Sequence, residues 1–318
     1  MKIKSLITIF TLSLLLILSS CTGSGGKKVS GTGFIGGQEG ITSSIEIQST
    51  TGGNQIFDKN IDPFKIQINL QNKGEDDVET NEILVSLDGI NFNAFQINPS
   101  TKSSSIPLKG IRKEAGKVTD PTQTIIQFDA NYKPDEAADT SKELSANICY
   151  KYQTKSRVED LCLRKKITGP TQSSDCKVDE VKTAQNSGSP FKVKTFSERP
   201  AGENKINIFI EAENIGPGTI YSKEFLSKGS CLDEQNEKNK IYVKVDLTDF
   251  ENDAAIISCS GLNKNEGSLN VIQNKVQLSC DIDTSSFQES TFETSINVIF
   301  DYVYKDAVST TLTIKSST

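Results

Sequence analysis

The chain has 318 residues with a formal net charge of −6, and it contains no His and no Trp. The acidic balance argues against a nucleic-acid partner, because phosphate binding needs clustered Lys and Arg. The absence of His excludes Ser-His-Asp and Cys-His catalysis and every His-ligated metal site. We therefore predict a protein that is not an enzyme and needs no cofactor.

The chain begins with a short basic head followed by an apolar run. Lys2 and Lys4 precede residues 6–18, a run of about 13 residues. A membrane-spanning helix needs roughly 20 residues, so this run is typical of a cleaved signal sequence. With Ser19-Ser20-Cys21 and the Gly/Ser-rich stretch after it, the arrangement resembles a lipoprotein signal peptide. The alternatives are an ordinary secretory signal with an incidental cysteine and an uncleaved N-terminal anchor.

The resemblance to a lipoprotein signal implies that the chain is exported and that it is attached to a membrane. Residues 1–20 would be removed and Cys21 would be lipidated, so that acyl chains hold the exported chain to the membrane. We therefore predict an extracytoplasmic protein that is anchored to the cell membrane and faces the cell surface. Residues 21–40 are rich in Gly, Ser, Lys and Thr, and we predict that they form a flexible tether.

Besides Cys21, the chain has six cysteines: Cys149, Cys162, Cys176, Cys231, Cys259 and Cys280. An even number in an exported chain predicts three disulfides. Six cysteines allow 15 connectivities, and the sequence alone does not choose among them. Our preferred set is Cys149–Cys162 and Cys259–Cys280, each joining neighbouring strands, with Cys176–Cys231 by elimination.

Alternation of apolar and polar residues predicts strands in the first half, residues 41–168. The predicted strands are 41–48, 64–70, 83–87 and 125–128, followed by a hairpin of 145–152 and 158–163. A Gly-rich stretch, residues 31–37, precedes the first strand. Because a strand and not a helix follows it, we interpret this stretch as a lead-in loop and not as a phosphate cradle.

Residues 169–190 form a polar connector, and the second half, residues 191–318, repeats the pattern of the first. A strand ends at Asn214-Ile215-Gly216 as an earlier one ends at Asn72-Lys73-Gly74. Near the end of each half, four residues match at a spacing of 150 positions. They are Ser145, Asn147, Tyr150 and Tyr152 in the first half, and Ser295, Asn297, Phe300 and Tyr302 in the second. The repeat predicts a tandem duplication. The other predicted strands are 206–212, 241–247, 255–260, 268–272, 275–280, 294–304 and 309–314, the last two as a hairpin.

Short strands separated by turn residues predict an all-β fold of two tandem immunoglobulin-like β-sandwich domains. The strand ending in Asn-x-Gly, the second alternating strand and the late Tyr-rich hairpin resemble the CARDB-like modules of archaeal and bacterial surface proteins. Gly31-Thr32-Gly33 and the run from Cys149 to Thr154 are similar to uncharacterised archaeal surface lipoproteins. The resemblance implies a surface-exposed pair of sandwiches with no assigned activity. The Cys–Trp–Cys arrangement of a true immunoglobulin domain is absent.

Two acidic clusters are weak candidates for calcium binding. The first surrounds Phe250 and contains Asp246, Asp249, Glu251 and Asp253. Calcium takes six to eight oxygen ligands, and this run lacks the Gly and terminal Glu of an EF-hand loop, so we favour a solvated acidic turn. The second cluster, Glu75-Asp76-Asp77, could serve calcium or the basic patch of a partner. We favour a solubilising turn there as well, and we predict no metal site.

Four tyrosines alternate on late strands, namely Tyr150, Tyr152, Tyr302 and Tyr304. An exposed aromatic face for a ligand is one interpretation, and packing in the core is the interpretation that we favour. Paired carboxylates could hydrolyse glycosides, but among 41 acidic residues nothing marks one pair as buried or as having a raised pKa.

We therefore predict a membrane-anchored lipoprotein that acts as a non-catalytic binding or scaffolding module of the cell envelope, in adhesion or envelope assembly. Its partners would be the membrane, through the N-terminal lipid, and other envelope or extracellular proteins, bound by loops and exposed strand edges. Two alternatives come from other classes. One is a solute-binding lipoprotein of a transporter, and the other is a cell-surface hydrolase accessory protein.

Overall fold

The computed structural model describes residues 33–167, 176–229, 231, 234–248, 256–287 and 291–317. Within these ranges the chain forms strands and two short 3-10 helices, Thr80–Glu82 and Phe225–Lys228. The predicted all-β class is therefore confirmed. Residues Phe34–Thr318 form one compact unit.

The strands of the first half are mostly short, with one long strand at the end. They are β1 (Ile41–Gln48), β2 (Gln55–Phe57), β3 (Phe64–Asn72), β4 (Ile83–Asp88), β5 (Thr101–Ser103), β6 (Lys113–Glu114), β7 (Lys117–Val118), β8 (Thr122–Ala130) and β9 (Thr140–Arg164). Strand β3 shows the period-two pattern that the sequence predicts, because Phe64, Ile66, Ile68 and Leu70 are buried and the polar residues between them are not.

The second half also ends in one long strand. Its strands are β10 (Glu180–Lys182), β11 (Gln185–Asn186), β12 (Phe191–Gly202), β13 (Lys205–Asn214), β14 (Thr219–Tyr221), β15 (Lys240–Leu247), β16 (Ile257–Cys259), β17 (Glu266–Asn270), β18 (Lys275–Asp283) and β19 (Thr291–Lys315). The predicted strands 206–212, 241–247 and 275–280 lie inside β13, β15 and β18.

Two sheets repeat the same local order, one in each half. The first-half sheet has the order β1-β3-β8, and the second-half sheet has the order β10-β12-β13-β18-β16. Ile41 pairs with Asn72 at the start of one sheet, and Phe191 pairs with Asn214 at the start of the other. The β1-β3-β8 and β12-β13-β18 arrangements are therefore equivalent, with β3 and β13 in the middle.

A third sheet, the shared sheet, takes strands from both halves. Its main order is β17-β15-β19-β9-β4-β5, and β2, β11 and β14 pair with its two long strands. Strands β9 and β19 run antiparallel from the Arg164–Thr291 pair to the Thr140–Ile314 pair. The boundary predicted between 41–168 and 191–318 is therefore not a break between sheets, because the last strand of each half pairs with the other.

Both predicted late hairpins are wrong. Residues 145–152 and 158–163 belong to the single strand β9, and residues 294–304 and 309–314 belong to the single strand β19. The segments predicted as turns contain no Gly or Pro, and each continues as a strand because the facing strand supplies its backbone partners, as in the pairing of Thr154 with Phe300.

Three disulfides are confirmed, but two of the predicted pairings are wrong. The bonds are Cys149–Cys231, Cys162–Cys176 and Cys259–Cys280. Only Cys259–Cys280 agrees with the preferred set, and it joins the paired strands β16 and β18. Cys149 and Cys162 lie 13 positions apart on β9, which separates them by about 40 Å along an extended strand. A disulfide needs Cα atoms within about 7 Å, so this pair cannot form.

The three sheets share one hydrophobic core. Ile66 of the first-half sheet, Ile208 of the second-half sheet and Tyr152 of the shared sheet belong to the same buried cluster. The described residues include no helix that is long and apolar enough to span a membrane. Three disulfides indicate that the chain folds in an oxidising, extracytoplasmic environment.

Candidate functional site

A groove of about 590 Å³ crosses the first-half sheet on the face that points away from the core. The groove is lined by Thr42, Ser43, Ser44, Asn69, Leu70, Gln71, Lys73, Gln123, Thr124 and Ile125. Strand alternation explains the lining, because the core-facing positions of β3 from Phe64 to Leu70 are apolar and the outward positions at the groove end of the sheet carry hydroxyls and amides. At the other end of the same face the outward residues include Glu46, Lys65 and Asp129.

Strand register arranges the groove side chains in two rows. One row is Thr42, Gln71 and Gln123, and the next is Ser44, Asn69 and Ile125. Neighbouring strands lie about 4.8 Å apart, and side chains on one face of a strand recur about every 6.6 Å. The groove floor is therefore a regular grid of hydroxyl and amide groups with one apolar member, Ile125, which is 54% exposed.

The polar groups of this grid are largely free to bind a ligand. Within the part of the chain that the structure describes, the side-chain amides of Asn69, Gln71 and Gln123 have no hydrogen-bond partner. The Thr42 hydroxyl donates to the Gln71 carbonyl at 3.3 Å. The one charged lining residue, Lys73, lies 3.4 Å from the Glu39 carboxylate. The groove thus offers neutral donors and acceptors, with its single charge already paired.

The equivalent face of the second-half sheet has different chemistry. Strand register places Glu211 where the first half has Asn69, and Gln277 where it has Ile125. The Glu211 carboxylate accepts hydrogen bonds from Lys275 at 3.0 Å and from Gln277 at 2.8 Å. Charged side chains on this face therefore satisfy one another, whereas the amides of the groove do not.

Below the groove, an Asn-x-Gly corner ends β3. The Asn72 side chain is fully buried and donates to the carbonyls of Asp76 and Leu108, at 2.7 and 3.0 Å. Its carbonyl oxygen accepts from the Gly74 amide at 3.1 Å and from the Tyr152 hydroxyl at 3.3 Å. Gly74 has no room for a Cβ, which would overlap the Tyr152 hydroxyl and the Gly188 carbonyl.

The second half repeats this corner. Asn214 donates to the Gly218 carbonyl at 2.8 Å and accepts from the Gly216 amide at 3.3 Å and the Tyr304 hydroxyl at 3.4 Å. Tyr304 is therefore the equivalent of Tyr152, at a spacing of 152 positions. The predicted spacing of 150 is wrong by two residues, which keeps the same strand face and so leaves the alternation pattern looking correct.

The four tyrosines are core residues and not an exposed aromatic face. Their exposed fractions are 2% or less, and they lie opposite each other on β9 and β19, where Tyr150 pairs with Tyr304 and Tyr152 with Tyr302. Ring centroids of Tyr150 and Tyr304 are 5.7 Å apart. Each hydroxyl has a hydrogen-bond partner, as buried tyrosines require. The ligand-face interpretation is therefore wrong, and the core interpretation is confirmed.

The acidic triplet Glu75-Asp76-Asp77 is not a free solvated turn. The Glu75 carboxylate accepts the backbone amides of Ile35, Gly36 and Gly188, at 2.6–3.0 Å. Asp76 accepts the Gln153 amide at 2.7 Å, and burial raises the pKa of Asp76 to about 6. Asp77 pairs with Lys109 and Arg112. The Glu75 carboxylate therefore joins the lead-in segment and the connector to the corner, and protein donors also bind Asp76 and Asp77.

Other sequence-predicted residues lie outside the described part of the chain. These are Cys21 and the calcium candidates Asp249, Glu251 and Asp253. Their neighbour Asp246 is described, and its carboxylate lies 2.9 Å from Lys244 and accepts from Asn265 at 3.3 Å. The described residues contain no group of three or more His, Cys, Asp or Glu that could hold a metal ion.

One buried acid, Glu198 of β12, was not singled out by the sequence. Its side chain is fully buried, with one oxygen 3.2 Å from the Cys162 amide and 4.0 Å from the Lys182 ammonium. Burial raises the pKa of Glu198 to about 8, against the opposing effect of these two partners. The signal available in the sequence is only a Glu at a core-facing strand position.

Replacing Glu198 with Gln is expected to remove a pH dependence of stability. Between pH 4.5 and 8 the folded state holds a proton that the unfolded chain releases, so wild-type stability falls as the pH rises through this window. At pH 9 the variant should be more stable by on the order of 3 kcal/mol, and at pH 5 nearly equal to wild type. Urea unfolding at both pH values measures the difference.

The matched control is Glu180→Gln, which removes another carboxylate beside Lys182. Glu180 is 45% exposed, and the Lys182 hydrogen bond lowers its pKa. The control should therefore show no gain at pH 9. A Glu198→Gln variant that loses equal stability at both pH values would contradict a protonated Glu198.

Comparison with known proteins assigns no family. No family model matches the chain, and no curated protein matches it. Among solved structures, the chain is similar to the secreted serine protease VesC from Vibrio cholerae, at 9% sequence identity and a TM-score of 0.20. The match covers 85% of this chain and 51% of the protease, so the chain spans about half of that protein. A likeness at this level carries no argument about fold or activity.

Proposed function

We propose that this chain is a non-catalytic binding module of the cell envelope, held to the membrane by lipid at Cys21, and that the groove on the first-half sheet is its binding surface. Residues 41–168 and 191–318 would be two immunoglobulin-like modules, of which the first binds and the second braces it. In this proposal the protein acts in adhesion or envelope assembly.

The observation that carries the proposal is the set of unpartnered amides in the groove. A sheet face needs no regular grid of free Asn and Gln side chains for folding, and on the equivalent second-half face Glu211 is instead bound by the Lys275 ammonium and the Gln277 amide. Among the described residues that line the groove there is no Asp or Glu. Hydrolysis of a glycoside uses two carboxylates, so this lining suits binding and not turnover.

A groove-blocking variant tests the proposal. The full-length protein, extracted in detergent and immobilised, is incubated with solubilised envelope material, and the retained protein, carbohydrate and lipid are measured. Ser44→Arg should abolish retention, because the new side chain fills the groove beside Asn69. Thr195→Arg is the matched control at the equivalent position of the second half, next to Glu211. Equal retention by wild type and Ser44→Arg would overturn the proposal.

A further inference from the structure

We infer that the groove binds a linear, uncharged oligosaccharide, an inference that rests on the proposed binding role of the same groove. The first reason is charge. Nine of the ten lining residues are neutral, and the tenth, Lys73, already faces Glu39. An anionic ligand needs free basic groups and a cationic ligand needs free acidic groups, and the lining offers neither.

The second reason is the type of hydrogen-bonding group. Each side-chain amide offers a carbonyl acceptor and two N–H donors, and each hydroxyl can donate and accept. Asn69, Gln71 and Gln123 present such amides, and Ser44 adds a hydroxyl. Sugar hydroxyls are also donors and acceptors at once, so planar amides can bond adjacent hydroxyls in pairs. Specific binding of a polyol needs this mixture of neutral groups.

The third reason is the apolar element within the grid. Ile125 is 54% exposed and lies in the row of Ser44 and Asn69. Burying an exposed apolar side chain against a ligand is favourable in proportion to the area covered. A pyranose ring has an apolar C–H face and a polar hydroxyl edge, which match an isoleucine surrounded by amides and hydroxyls.

The fourth reason is the direction of the groove. The lining comes from three adjacent strands, so the groove runs across the face of the sheet. An extended peptide is usually bound along a strand edge, where its backbone joins the ladder. The strand-to-strand spacing of about 4.8 Å is comparable with the size of one sugar ring, so successive sugars can meet successive strands.

Binding is tested with the full-length protein in detergent and with cellotetraose, maltotetraose and fully N-acetylated chitotetraose as linear neutral probes. We expect saturable binding of at least one probe by isothermal titration calorimetry, with recovery of the intact tetrasaccharide. The affinity should change less than 2-fold between 50 and 500 mM salt, because no ion pair forms. Binding should weaken about 5-fold in Gln71→Ala and at least 20-fold in the Asn69→Ala, Gln71→Ala, Gln123→Ala triple variant.

Three further variants and their unfolding temperatures separate loss of binding from loss of folding. Ile125→Ala should weaken binding severalfold, whereas Gln277→Ala, its second-half equivalent, should leave the affinity unchanged. Ser44→Arg keeps every amide and should still abolish binding by filling the groove. All variants must unfold at the wild-type temperature, as expected for exposed side chains.

The remaining outcomes overturn the inference. One is binding of dextran sulfate or an extended peptide through the same groove residues in place of neutral probes; the ligand class is then wrong, although the binding role stands. Another is failure of all three neutral probes to bind wild type. Retention of envelope material that Ser44→Arg does not affect would remove the proposed function itself.

Discussion

Replacing Cys149 and Cys231 together with Ala is expected to lower the free energy of unfolding by about 4 kcal/mol, the largest loss among the three disulfides. The bond closes a sequence separation of 82 residues, against 14 for Cys162–Cys176 and 21 for Cys259–Cys280. A longer loop loses more conformational entropy in the unfolded chain when it is closed. The corresponding Cys162→Ala, Cys176→Ala variant should lose about 3 kcal/mol.

The position of the bond adds to this effect. Cys149 lies on β9, and Cys231 follows the 3-10 helix Phe225–Lys228, so the bond fastens a second-half loop to the last strand of the first half. Both sulfurs belong to a small buried cluster with Tyr221 and Phe225. Urea unfolding without reductant measures the losses, and non-reduced peptide mapping checks the pairing. A Cys149–Cys162 peptide, or equal losses in all three double variants, would contradict this expectation.

Asn72→Ala is expected to destabilise the fold by about 3 kcal/mol, because it removes hydrogen bonds from several buried groups around this side chain. The carbonyls of Asp76 and Leu108 lose a donor, and the Gly74 amide and the Tyr152 hydroxyl lose an acceptor. The Leu108 carbonyl keeps the Val78 amide and the Tyr152 hydroxyl keeps the Gly188 carbonyl, so the Asp76 carbonyl and the Gly74 amide account for most of the loss. A buried polar group left without a partner costs about 1–3 kcal/mol, reduced where a water molecule can enter.

The repeated corner supplies the comparison for this prediction. Asn214→Ala removes three such hydrogen bonds at a site that is 7% exposed, and it should cost about 2 kcal/mol. Asn69→Ala, on the groove face, should cost less than about 0.5 kcal/mol. Chemical denaturation of the three variants gives the order. Equal, small losses for Asn72 and Asn69 would show that the corner does not stabilise the fold.

Local pattern predicts the half-buried strands well and the long strands badly. β3 follows from alternation, because it buries one face and leaves the other partly exposed, and β1 follows it less sharply. The centre of β9 resembles a turn in sequence, because residues 153–157 are all polar. Thr154 and Ser156 are nevertheless buried, and their hydroxyls bond Ser189 and Asn186. A run of polar residues indicates a turn only where water satisfies their hydrogen bonds. Here another segment of the chain satisfies them.

The disulfides and the groove depend on which strands become neighbours, which the sequence does not state. Cys149 contacts Cys231 because β9 lies beside β19. Strand β19 also pairs with β14, which is close in sequence to the loop that carries Cys231. The groove likewise combines residues near 43, 70 and 124, which no local window contains. Its one signal in the sequence is the set of uncharged outward residues at one end of β1, β3 and β8, which differ from Glu211 and Lys275 on the equivalent second-half face.

The pairing of β9 with β19 also has consequences for the folding of the chain during synthesis and for the behaviour of fragments. β9 and β19 pair with each other along one edge, and along the second edge β9 pairs with β4 while β19 pairs with β15 and, at residues 313–315, with β2 of the first half. A fragment holding only one half would carry a bare edge nearly as long as the strand itself, and such an edge recruits further chains. The two halves therefore resemble the subunits of an obligate dimer joined in one polypeptide, and the shared sheet is complete only after β19 has been synthesised.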